Sequence, residues 1–323
     1  MLSRLLGAAQ PVDVSKMRTA NSLQSQNEIE LVKLKGIQEK SGWKDVPACP
    51  VCGSARRQGE FSKHGVELMP CIDCTARYGA QVAANLDDVY QNPAYTVFTK
   101  EDTDEHYAYR RERFGRERVG ILEKYCGDLT DKRLLDVGCG NGYFLAEAMR
   151  KCRHCYGAEF SEKLRAYAQA RTGLPIFRER LDDLPERGFD IITLFDVIEH
   201  VPEPLPFLAS VDRLLNPGGH VLVFTPNFDS FGLRVMREYS SIVDPTEHVI
   251  LFTEQSLRAL GARVGFKVVY YETQGLDVDN ILAKQQYLGQ PRDAFLLEWR
   301  DALQAMINAA ECGDYARIMY RKA

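Results

Sequence analysis

The chain has 323 residues, 45% hydrophobic and 27% charged, which excludes wholesale disorder and gives room for one large domain and a smaller one. No apolar run approaches the roughly 18 residues of a membrane span, and Leu5 to Ala9 is too short for a secretory h-region, so the cytoplasm is the expected location. A net charge of −4 gives no global attraction to a phosphate backbone, which disfavours nucleic acid as a partner without excluding a local basic patch.

Residues 1–45 read as a polar extension with one helix at 27–38, where Ile29, Leu31, Val32, Leu34 and Ile37 recur at helical spacing. Next come Cys49 and Cys52, then, after eighteen residues, Cys71 and Cys74. Zinc takes four soft ligands in a tetrahedron, and each Cys-x2-Cys knuckle supplies two of them from one tight turn. These four thiols therefore predict a compact zinc ribbon at 46–80, and a set closed by four thiolates makes the metal structural. Cys152 and Cys155 share the spacing but lie at a helix-to-strand junction, where burial as small apolar residues is expected. Nine Cys without a secretory signal point away from a disulfide framework.

Residues 81–118 carry mixed charge interleaved with aromatic residues and read as a helical bridge. From 119 to 323 the pattern alternates helix and strand, the signature of a parallel sheet covered on both faces. The expected strands are 133–137, 154–159, 176–177, 190–195, 220–225 and 266–272, with helices near 119–126, 142–151, 161–171, 204–215 and 253–263. A last apolar run at 315–320 is expected as an edge strand. The stretch 276–312 reads as an insertion with one amphipathic helix bearing Phe295, Leu296, Trp299, Leu303, Met306 and Ile307.

Leu134-Leu135-Asp136-Val137-Gly138-Cys139-Gly140-Asn141-Gly142 falls where the first of these strands meets a helix, and its glycines allow ligand atoms close to the backbone. Tyr143 stands where a dinucleotide fingerprint has its third glycine, which argues against NAD or FAD. Twenty-one residues beyond Gly138, Glu159 ends the next strand, where a carboxylate accepts from both hydroxyls of a ribose. With Phe189-Asp190-Ile191-Ile192, Asp196-Val197-Ile198-Glu199-His200-Val201-Pro202 and Leu215-Asn216-Pro217-Gly218-Gly219, this sequence resembles the class I S-adenosylmethionine-dependent methyltransferases. Within them it is similar to the ubiquinone-biosynthesis O-methyltransferase and polysaccharide-cluster branch. The resemblance implies an α/β, Rossmann-like seven-stranded sheet with an antiparallel last strand, preceded here by the small N-terminal zinc ribbon. It further implies that Asp136, Gly138, Gly140 and Gly142 lie under the methionine end of the cofactor and that Glu159 holds the ribose. Leu181 and Asp182 would flank the adenine, Phe195 would touch the methionine moiety, and Arg118 matches a cofactor-contacting Arg of the quinone enzymes.

Methyl transfer from a sulfonium needs an aligned acceptor and a group that removes its proton. Glu199 and His200 follow the fourth strand of the sheet and His248 follows the fifth, on the rim where open α/β sheets bind ligands. Either His can serve as general base, the three together can hold a divalent cation, or Glu-His-Val-Pro is a structural turn. Three functional readings follow. The first is methylation of a small molecule or glycan-precursor acceptor, most directly at oxygen, by adenosylmethionine, with structural zinc. The second is RNA methylation with the ribbon as the grip, its charge supplied by Arg56, Arg57, Lys63 and Arg77. The third is a catalytically silent adenosylmethionine-binding partner protein; a homodimer is compatible with all three.

Overall fold

A computed structural model of the protein describes residues 12–13, 16, 22–59, 61–85, 104–178, 180–240 and 242–323. Seven strands form the main sheet: β6 (Arg133–Val137), β7 (His154–Ala158), β8 (Ile176–Phe177), β9 (Phe189–Phe195), β10 (Leu215–Pro226), β12 (Lys267–Gln274) and β13 (Tyr315–Arg321). Their order is β12-β13-β10-β9-β6-β7-β8, and the pairs β10–β9, β9–β6, β6–β7 and β7–β8 are parallel. The order reverses on either side of β6 and β9, which is where such a sheet opens a crevice at its C-terminal edge.

Two strands depart from expectation. The run expected as an edge strand lies inside the sheet, between β12 and β10. Ala316, Ile318, Met319 and Tyr320 are all buried, as befits a strand covered on both faces; an apolar run of this kind on an edge would be an open template for pairing. β10 begins at Leu215 instead of 220, because the Asn-Pro-Gly-Gly turn joins the strand as an irregularity between Leu215 and His220.

The chain divides into two compact units, one built from Phe98–Phe224, Arg258–Tyr271 and Ile318–Ala323, the other from Met1–Val97, Thr225–Leu257 and Glu272–Arg317. The first of these holds a core of Leu134, Phe144, Leu145, Ile191, Phe195, Leu222, Phe224 and Met319, with Cys152 and Cys155 buried among them as expected. The stretch expected as a helical bridge opens as strand β5 (Gln81–Ala83), its 86–103 part lies outside the described residues, and helix resumes at Asp104–Arg110, a π turn at Arg111–Gly115 and Arg116–Cys126.

The other unit carries the cysteine pairs. Strands β2 (Phe61–Lys63), β3 (Val66–Pro70) and β4 (Arg77–Gly79) form an antiparallel sheet, and β11 (Ile250–Leu251) adds a fourth strand by pairing with β4. β1 (Trp43–Asp45) pairs antiparallel with β5, clamping the two ends of the ribbon stretch together. The N-terminal helix spans Ser22–Gly36. The insertion forms three helices, Asp277–Tyr287, Ala294–Glu298 and Arg300–Ala309, in place of one. Gly289 in the left-handed region and Pro291 end the first, and Asp293 caps the second by accepting from the N–H groups of Phe295 (2.8 Å) and Leu296 (3.1 Å).

Candidate active site and metal centre

The glycine loop is built by backbone conformation. Gly138, Gly140 and Gly142 have φ of +69°, +56° and +82°, a region closed to most side-chain-bearing residues. The N–H groups of Gly138 and Cys139 both donate to the Ala158 carbonyl, at 2.8 and 3.1 Å, which ties the loop to the end of β7. A Cβ on Gly138 would lie 2.5 Å from Val197 Cγ2, whereas one on Gly140 would meet nothing within 4 Å. The loop is thus pinned at one glycine and open at the next.

Glu159 stands against this open part. Its Oε2 accepts from the Gly140 N–H at 2.9 Å and its Oε1 from the Ser161 N–H at 2.8 Å, while burial pushes the carboxyl above its ordinary value. The Phe160 backbone N–H also acts on this carboxylate, so three backbone donors hold it in place. Two carboxylate oxygens held side by side have the spacing of two vicinal hydroxyls.

Behind the loop, Asp136 is buried and its Oδ1 accepts from Thr193 Oγ1 at 2.6 Å. Burial pushes its carboxyl up to about 7. Arg118, also buried, sits with its guanidinium carbon 4.0 Å from the Phe195 ring centre, 5.2 Å from that of Phe224 and 5.3 Å from that of Tyr143, and donates to the Tyr143 hydroxyl. A planar, weakly hydrated guanidinium is the cation that such an aromatic cage accepts. This cage was not legible in the sequence, since its members come from three separate stretches. Leu181 and Asp182 lie on the 3-10 turn Leu181–Asp183; Leu181 is buried, and Asp182 accepts from Arg213 at 2.6 Å, which together with the Ser210 hydroxyl holds its carboxyl below the ordinary range. Arg187 fastens this turn by donating to the carbonyls of Asp182 (2.6 Å) and Leu184 (2.7 Å).

After β9 the chain turns sharply at Asp196, which takes φ of +56° and donates its N–H to the Phe224 carbonyl at 3.0 Å. Glu199 and His200 follow on the 3-10 turn Ile198–His200; Glu199 is fully buried, and its Oε1 lies 4.0 Å from His200 Nε2. His248 belongs to the other unit, on the turn that begins at Asp244, whose carbonyl accepts the His248 N–H at 2.7 Å. Its Nδ1 lies 2.7 Å from the Ile242 carbonyl oxygen. A carbonyl only accepts, so Nδ1 carries the hydrogen and the lone pair of the neutral ring is on Nε2.

The four thiols of the ribbon converge as expected. Their Sγ atoms all lie within 4.8 Å of one another, with Cys49–Cys74 and Cys52–Cys71 at 3.5 Å. A tetrahedral zinc with bonds of ~2.3 Å requires sulfur–sulfur separations of about 3.8 Å, so this donor set fits the ion. The two knuckles share one backbone plan. The Gly53 N–H donates to Cys49 O (2.8 Å) and the Thr75 N–H to Cys71 O (3.1 Å), with φ of +78° at Gly53 and +62° at Thr75. Thr75 tolerates this conformation because its hydroxyl donates to Cys74 O at 2.7 Å and lies 2.5 Å from the Thr253 hydroxyl.

Sheet order, the glycine loop and the buried carboxylate at the end of β7 together define the class I methyltransferase fold. Comparison with known proteins agrees: residues 106–271 match the family described as "Methyltransferase domain", and the chain belongs to that family. It is similar to the ubiquinone biosynthesis O-methyltransferases of Acinetobacter baylyi, 31% identical over 120 residues (34% of this chain and 50% of that protein), and of Alkalilimnicola ehrlichii, 35% identical over 119 residues (34% and 48%). The chain thus spans about half the length of the curated relatives it matches. Among solved structures, the magnesium protoporphyrin IX methyltransferase of Synechocystis PCC 6803 shares the fold, with a TM-score of 0.50 at 15% identity over 73% of this chain and 97% of that one. No helix among the described residues is long and apolar enough to cross a membrane.

Proposed function

We propose that this protein transfers a methyl group from S-adenosylmethionine to a hydroxyl of a small-molecule or sugar-type acceptor, with structural zinc in the ribbon. The donor reading is carried by Glu159: a carboxylate fixed at the end of β7 by backbone N–H groups, Gly140 of the glycine loop among them, suits a ribose with both hydroxyls free. Gly138, Gly140 and Gly142 line the methionine end, Phe195 and Arg118 back it, and Leu181 and Asp182 flank the adenine.

The bound cofactor supplies an electrophilic methyl on a sulfonium. The protein's part is to align the acceptor oxygen behind that methyl and to remove the hydroxyl proton as the oxygen–carbon bond forms and the carbon–sulfur bond breaks. In our reading His248 takes that proton on Nε2, because the bond from Nδ1 to Ile242 fixes the tautomer with its lone pair there. His200 orients the acceptor, and the buried Glu199, with Oε1 4.0 Å from His200 Nε2, acts through it. The similarity to quinone O-methyltransferases supports oxygen as the methylated atom.

The test is a calorimetric titration with adenosylmethionine, adenosylhomocysteine and NAD, followed by an acceptor screen of phenols and nucleotide sugars. Micromolar binding of the first two alone is expected, and turnover that falls by ~10²–10⁴-fold in His248→Gln with donor affinity unchanged. Binding of NAD in their place, or full turnover in His248→Gln, would refute the respective assignment.

A further inference from the structure

The turn that carries His248 is held by charges buried elsewhere in the same unit. Lys33, on the N-terminal helix, is 2% exposed and pairs with Glu247 and, at 3.6 Å, with Asp244. Burial alone would push Lys33 down, but the carboxylates of Glu247 and Asp244 outweigh it and hold the ammonium above its ordinary value. Lys63, on ribbon strand β2, is 6% exposed and donates to the Val243 carbonyl at 2.7 Å while pairing with Glu30 of the N-terminal helix at 2.7 Å. His64, the next ribbon residue, lies 2.9 Å from the same Glu30 carboxylate. On the far side of His248, the Gly79 N–H donates to Val249 O at 2.9 Å, β11 pairs with β4, and Gln255 donates to Asp73 O at 3.1 Å, between the two cysteines of the second knuckle.

Buried ions of this kind are costly unless each has its partner, and they are weak evidence for stability but good devices for fixing one arrangement. Here they converge on a single short stretch. Ile242 O faces His248 Nδ1 and Asp244 O accepts the His248 backbone N–H, while Val243 O receives Lys63 and the Asp244 and Glu247 carboxylates receive Lys33.

We propose that Lys33 and Lys63 are positioning residues for His248, and that the zinc ribbon and N-terminal helix together form the brace that fixes its tautomer and orientation. The catalytic part of this inference rests on the reading of His248 as the proton acceptor; the structural part does not. The brace gives the ribbon a task that requires no nucleic acid.

The experiment is nitrogen NMR of the full-length, zinc-loaded protein with labelled histidine, which reads the tautomer of each ring; the chain has six His, and His248→Gln assigns the signal. In the wild type, His248 should show one protonated nitrogen, Nδ1. In Lys63→Met and Lys33→Met that signal should shift or broaden as both tautomers become populated, and Lys63→Arg should restore it. Because Lys63→Met leaves the Glu30 carboxylate buried, the double variant Glu30→Gln/Lys63→Met serves as the better-folding form. Adenosylmethionine affinity should stay at the wild-type value in every variant, while kcat falls up to ~100-fold with little change in acceptor KM, the mark of a misplaced group. An unchanged His248 signal in folded Lys33→Met and in the double variant would overturn the proposal. A signal that shifts while kcat stays at the wild-type value would leave the brace standing and remove His248 as the base.

Discussion

Replacing Glu159 with Ala should weaken adenosylmethionine binding by roughly 100- to 200-fold. The carboxylate is already bound to the N–H groups of Gly140 and Ser161, at 2.9 and 2.8 Å, so its oxygens are held in place before a ligand arrives. A hydrogen bond to a charged group contributes about 1.5–3 kcal/mol, so two ribose hydroxyls at the lower figure amount to about 3 kcal/mol, or ~150-fold in Kd. Calorimetric titration with adenosylmethionine and adenosylhomocysteine reads this directly. Glu159→Gln keeps one acceptor oxygen and should lose about tenfold, since the surviving bond loses its charge. A 2′-deoxy analogue of adenosylhomocysteine should bind the wild type more weakly than the parent but bind Glu159→Ala no more weakly, because variant and analogue then remove the same contact. If folded Glu159→Ala bound within about threefold of the wild type, or if the analogue's loss added in full to the variant's, the carboxylate would not be holding the ribose.

Other expectations follow from single geometries. Asp136 has an ordinary value of 3.8 and is pushed up to about 7 by burial, so between these values the folded chain keeps a proton that the unfolded chain has released. Its contribution to stability is therefore complete below pH ~4 and lost as pH rises to 7; urea unfolding should show Asp136→Asn removing about 3 kcal/mol of the wild type's decline between pH 5 and 8, and equal slopes in both proteins would contradict this. Gly138→Ala combines a φ of +69° with a Cβ 2.5 Å from Val197 Cγ2, so it should destabilise by about 2–4 kcal/mol, with part recovered by adding Val197→Ala; denaturation midpoints check it. Metal analysis of anaerobically purified protein should find one zinc per chain, and Cys71→Ser should lower that occupancy; a wild type without zinc would sink the ribbon assignment.

What could be read from the sequence was whatever chemistry fixes at short range. The glycine loop, Glu159 and the paired cysteines are legible because close backbone approach, a strand end and a tetrahedral ion each impose a spacing of a few residues. The brace around His248 was not, because its partners sit near positions 30, 63 and 244 and no local period marks a buried lysine. Lys33 looks like one more charge on a polar helix until Glu247 and Asp244 are folded against it. The three-helix form of the insertion was partly legible: Gly289 and Pro291 signal a break, but the apolar spacing from Phe295 to Ile307 masks the second one at Trp299. The interior position of β13 was missed because a continuous apolar run gives its burial, not its neighbours, and sheet order is a property of the whole chain.

The placement of β13 also sets the order of events in folding. β10 and β12 end up on either side of a strand that follows both in the chain, so neither can complete its hydrogen bonds while residues 315–321 are unmade. Until then the edge of β10 stands open and β12 has no neighbour, and the chain runs through the three helices of the insertion before it reaches β13. The slow step of folding should therefore be the capture of this strand, and a chain cut before Tyr315 should leave a five-stranded sheet with β10 as an open edge and β12 without a partner, a form prone to aggregate.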